Sequence, residues 1–96
     1  MKLVLVVVEK ERQEDVGRVL RQCAITGFSL FPSVFGSGGT GTHLGNRVFP
    51  GENVMFMVLV NRLQCAGVVE ALTAFAAGLR REEAFKVIST DAEVII

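Results

Sequence analysis

The densest run of chemistry-bearing positions is Gly36–Glu52, which holds six of the chain's ten glycines together with Thr40, Thr42, His43 and Arg47. Glycine lets a backbone approach a ligand closely and turn its N–H groups toward an anion. Gly-Ser-Gly-Gly-Thr-Gly at 36–41 has the composition of a phosphate-cradling loop. It lacks the lysine and the following helix that make such a loop specific. Arg47 adds a guanidinium suited to an anionic group, and Arg80, Arg81 and Lys86 offer further cations near the last strand. His43 is the one histidine, a candidate metal ligand without a cysteine or carboxylate at ligand spacing beside it. Ser29, Thr40 and Thr42 are hydroxyls with no base partner in the pattern. Nucleophilic catalysis is therefore not expected, and the chain reads as a binding protein rather than an enzyme.

The elements that must position these residues follow from hydrophobic period. Leu3–Val8 and Val54–Val60 are continuous apolar runs, which predict strands buried on both faces. Between them, Val16, Val19, Leu20 and Cys23 fall at helical spacing within Glu11–Ala24, with charges on the other side, and predict an amphipathic helix. Gly27 is the expected left-handed cap at its end. Phe28–Phe35 predicts a second strand, which Pro32 confines to an edge or a bulge. Asn61 with Gln64 three residues on is a capping-box start for a second helix, its inner stripe running Cys65, Val68, Val69, Leu72, Phe75, Ala76, Leu79. Phe85–Ile88 predicts a fourth strand, and the apolar tail Glu93–Ile96 is a candidate fifth. A shift of 52 residues lays Val6-Val7-Val8 on Val58-Leu59-Val60 and Val16…Leu20 on Val68…Leu72. Two such βαβ halves predict an α+β fold: a ferredoxin-like β-α-β-β-α-β sandwich, antiparallel, with both helices on one sheet face.

The chain has 96 residues, half of them hydrophobic, and a formal net charge of zero. One domain over 1–96 is expected, with no field to draw it to nucleic acid or an acidic membrane. The apolar run near the N-terminus is too short for a secretion signal or a membrane span. Cys23 and Cys65 both fall on helix stripes, as inert core thiols of a cytoplasmic protein would. One consequence is physical. The central strands offer Leu3, Leu5 and Val7 on one side and Val4, Val6 and Val8 on the other, then Met55, Met57 and Leu59 against Val54, Phe56 and Val58. Helices cover only one of these faces, so self-association through the other is expected.

Ala24-Ile25-Thr26-Gly27-Phe28-Ser29-Leu30 resembles the Ile-Thr-Gly-Met-Thr-Val segment of the PII signalling superfamily. Val34-Phe35-Gly36-Ser37-Gly38 is similar to the Gly-Phe-Gly that opens that family's long T-loop. The resemblance implies a homotrimer that binds an adenine nucleotide or cyclic dinucleotide between subunits, requires no cofactor, and controls a transporter or enzyme through the loop. It implies that Ser29 contacts the adenine, that Val58 lines the same cleft, and that Gly36 and Gly38 form the loop base. Arg47 joins this ligand-binding set by its place in the loop. The chain has no tyrosine to modify, and Gly78–Ala84 stands where the family carries Gly-Asp-Gly-Lys, which makes it a divergent, short-loop member. The alternative is a divalent-metal-binding trimer of the cation-tolerance type, with His43 at the metal.

Overall fold

The computed structural model describes residues 1–34 and 52–96. In chain order they form β1 (Lys2–Glu9), a short 3-10 turn (Lys10–Arg12), α1 (Gln13–Gln22), β2 (Ser29–Val34), β3 (Asn53–Val60), α2 (Arg62–Ala76) and β4 (Phe85–Asp91). The strands make one four-stranded sheet in the order β2-β3-β1-β4, with every pairing antiparallel. This is the expected ferredoxin-like arrangement.

The two continuous apolar runs became the two interior strands. β1 and β3 pair along their whole lengths, from Lys2↔Val60 to Glu9↔Asn53. Pro32 lies on an edge strand, where its missing N–H removes nothing from the ladder. The register slips there as well: Phe31 faces Met55 and Val34 faces Asn53, so β2 carries one extra residue.

Val4, Val6 and Val8 of β1 and Val54, Phe56, Val58 and Val60 of β3 are buried. They pack on Val16 and Leu20 of α1 and on Cys65, Val68 and Leu72 of α2. Phe56 is the largest of these, and its ring meets Phe28 at 5.3 Å between centroids. Both helices thus cover one face. On the other, Leu3, Leu5, Val7, Met55 and Met57 are half-buried, while Leu59 and Ile88 are exposed.

One helix end departs from the sequence reading and another bears it out. α1 ends in a Schellman motif: Ile25 N–H donates to the Leu20 carbonyl and Ala24 N–H to that of Arg21, both at 2.9 Å. The left-handed residue is Ala24, at φ 64°, not Gly27. The motif needs its turn directly after the helix, and there Ile25 buries against Leu20 in the core. α2 opens with the expected reciprocal cap: Asn61 Oδ1 accepts from Gln64 N–H at 2.7 Å, and Gln64 Oε1 accepts from Asn61 N–H at 3.0 Å. Its inner stripe is narrower than expected, because Val69 sits on the flank, 36% exposed. The tail forms no fifth strand. The ladder closes where Ala92 N–H donates to the Met1 carbonyl, and Val94, Ile95 and Ile96 beyond it are exposed.

Candidate functional site

A cavity of about 310 Å³ opens on the uncovered face, where the start of β2 meets the ends of β1 and β3. Leu3, Phe28, Met57 and Leu59 give it apolar walls, and Gly27 and Ser29 form its polar rim. Local structure explains the placement. The Schellman turn at Ala24 sends the chain back toward the sheet, and Ser29, the first residue of β2, pairs with Met57 of β3. A Cβ at Gly27 would meet nothing within 4 Å, so the glycine leaves open space at the rim. The Ser29 hydroxyl has no hydrogen-bond partner among the described residues. Flat apolar walls with one free hydroxyl suit a planar heterocycle that carries its own donors and acceptors. The cavity is one-sided and faces the half-covered apolar surface.

Of the sequence-predicted site residues, Ser29 lies in this cavity. Val58 does not line it. Successive residues of a strand point to opposite faces, and Val58, opposite Val4, points into the helix-covered core at 0% exposure. The β3 side chains that reach the cavity are its neighbours Met57 and Leu59. Gly36, Gly38, Arg47 and His43 lie outside the described residues. Among the described residues no group of three or more His, Cys, Asp or Glu is arranged to hold a metal ion. Asn53, at the start of β3, is buried, and its Oδ1 accepts no hydrogen bond from the described residues. An open buried acceptor costs roughly 1–3 kcal/mol, which a donor arriving at this end of the sheet would recover.

Arg80 does not stand ready for an anion. The Glu83 carboxylate, with a side chain 2% exposed, accepts from Arg12 Nε at 2.8 Å and Nη2 at 3.1 Å, and from the Arg80 backbone N–H at 2.9 Å. The Arg80 guanidinium lies 3.7 Å from the same carboxylate. Hydrogen bonds from Arg12 and then from the Arg80 backbone hold the Glu83 carboxyl at about 2, well below its usual range. This clasp ties the turn before β4 to the start of α1. Sequence reasoning missed it because Arg12 and Glu83 are 71 residues apart, and no local spacing signals such a pair.

Comparison with known proteins decides the family. The model for nitrogen regulatory protein P-II matches residues 1–95. The chain belongs to the P-II family. As a P-II protein it is a signal-transduction regulator by family, and solved P-II-like structures share its fold. CPII from Thiomonas intermedia, a nitrogen regulatory PII-like protein bound to ADP, AMP and bicarbonate, aligns with TM-score 0.76 at 16% identity, over 99% of this chain and 92% of that one. CPII bound to ADP, AMP and acetate aligns at 0.74 and 18% identity, over 99% and 88%. Its apo form aligns at 0.67 and 12%, over 93% and 87%. No curated protein sequence gave a match. No helix among the described residues is long and apolar enough to cross a membrane.

Proposed function

We propose that this P-II chain is a cytoplasmic small-molecule sensor that assembles as a homotrimer through its uncovered sheet face. It takes an adenine nucleotide or cyclic dinucleotide into the clefts between subunits and controls a target transporter or enzyme through segment 36–52. The observation that carries this reading is the one-sided cavity around Ser29, which opens onto an apolar face that no element among the described residues covers. A second copy against that face would complete the cavity and remove the apolar surface from water. Ser29 is the hydroxyl for the base, with Met57 and Leu59 as walls; Gly36, Gly38 and Arg47 are the proposed contacts from the loop. The binding of ADP and AMP by CPII supports the choice of ligand class.

Light scattering on gel-filtered protein and calorimetry with AMP, ADP, ATP and cyclic di-AMP test both halves. A trimeric mass, with binding that Ser29→Ala weakens, is expected. A monomer at micromolar concentration, or no binding by any of the four, overturns the reading.

A further inference from the structure

A second cavity, of about 320 Å³, lies on the helix-covered side of the sheet, between α1 and the edge strand β2. Its floor is apolar: Phe28 and Phe56 pack at 5.3 Å with rings tilted by 59°, and Leu30 beside them is 36% exposed. Its helical wall carries Glu14, Gly17 and Arg21, which fall one turn apart along a single face.

Two of the four charges on α1 are spoken for. Asp15 takes Arg18 at 3.1 Å and Arg12 at 3.4 Å, and Arg12 reaches on to Glu83. Glu14 and Arg21 have no ion-pair partner among the described residues. Both border the cavity, with Gly17 between them. A glycine inside a helix costs roughly 1 kcal/mol relative to alanine, and no positive φ requires one here. A Cβ at Gly17 would meet the Arg21 guanidinium at 3.4 to 3.9 Å, ordinary contact distances, so the bare backbone gives that guanidinium room to lie against the helix. The Arg21 guanidinium lies over Gly17, which is buried on the otherwise polar side of the helix.

We propose that this groove binds a small zwitterion with an apolar body, of the α-amino-acid class. The Arg21 fork receives the carboxylate, the Glu14 carboxylate receives the ammonium, and the apolar side chain lies on Phe28 and Leu30. A simple anion would meet Glu14 and a simple cation would meet Arg21 and Arg18, so the rim favours a molecule that carries both charges. The volume stands at the small end of ligand sites, which run from about 300 to 1,000 Å³, and is sufficient for an amino acid. The groove shares no polar residue with the Ser29 cavity, so this proposal stands or falls apart from nucleotide binding.

Full-length protein labelled with nitrogen-15, titrated with leucine and with phenylalanine, tests it through the Gly17 amide resonance and calorimetry. N-acetyl-phenylalanine lacks the ammonium and phenylalanine amide lacks the carboxylate. Saturable binding of an amino acid is expected, weakened about tenfold or more in each blocked derivative and in Glu14→Gln and Arg21→Gln. Gly17→Ala should raise the thermal midpoint while its added methyl, set against the Arg21 guanidinium, weakens binding, a pair of outcomes that loss of fold would not produce. No shift at Gly17 with millimolar leucine or phenylalanine overturns the proposal. So does equal binding of the blocked derivatives, or unchanged affinity in Arg21→Gln.

Discussion

The two faces of the sheet are written in nearly the same alphabet and meet different fates. Valines and one phenylalanine of β1 and β3 lie wholly buried beneath the helices. Leu3, Leu5, Val7, Met55 and Met57, interleaved with them residue by residue, stay half-buried, and Leu59 is 45% exposed. Hydrophobicity does not separate the faces; cover does. The helix-facing side is closed within the chain by branched side chains of fixed shape. The other side carries leucines and flexible methionines, which adapt to a surface supplied from outside.

The largest effects should come from the covered face. Phe56→Ala removes the biggest fully buried side chain and should cost about 3–5 kcal/mol in chemical denaturation. Val6→Glu buries an unpaired carboxylate and should leave no cooperative transition at all. Met57→Glu, on the uncovered face, should instead preserve the far-ultraviolet circular dichroism of the fold while lowering the mass measured by light scattering. If Met57→Glu unfolds the protein outright, or if it leaves both fold and mass unchanged, the distinction between the faces is lost.

Two substitutions away from both faces sharpen the contrast, since each should change stability without changing assembly. The Glu83 carboxyl is depressed to about 2 from an ordinary 4.5, so its contribution is fully present above pH 4.5 and is lost as pH falls toward 2. Glu83→Gln should therefore lower the thermal midpoint near neutral pH, and the gap from the parent protein should close on acidification. A constant gap across that window would show that the charge of Glu83 is not what ties the turn to α1. The smallest effect is a gain. Ala24→Gly relieves a left-handed alanine and should raise stability by about 0.5–1 kcal/mol, a few degrees in thermal midpoint.

The parts of the fold readable in the sequence were those with a local physical signature. Val16, Val19, Leu20 and Cys23 announced α1 by their period, Asn61 and Gln64 announced the start of α2, and Pro32 placed β2 at an edge before any pairing was known. Strand parity was not readable. When every residue of Val54–Val60 except by degree is apolar, alternation carries no information, and the assignment of Val58 to a ligand-facing position had only the resemblance behind it. The structure settles its direction through the helices that pack on it. The Ala24 cap was hidden for a different reason: it depends on Ile25 finding Leu20, a tertiary contact that outweighs the preference for glycine. Of the candidate site, Ser29 was legible from its motif. Leu3, Gly27, Met57 and Leu59 gather around it only once β1, β2 and β3 are aligned, and the Gly17 notch becomes visible only with the Arg21 guanidinium in place.

Phe28 belongs to the lining of both cavities, one on each side of β2. Where the occupant of one space sets the orientation of this shared ring, the two spaces become thermodynamically dependent on one another. Any occupant that prefers one orientation of the Phe28 ring changes the affinity on the other side, and linkage requires the factor to be the same in both directions. Measuring adenine-nucleotide affinity with and without saturating amino acid, and the reverse, gives that factor twice. Equal values different from one, collapsing to one in Phe28→Leu, would identify the ring as the element through which a single protomer combines two chemical signals into one output.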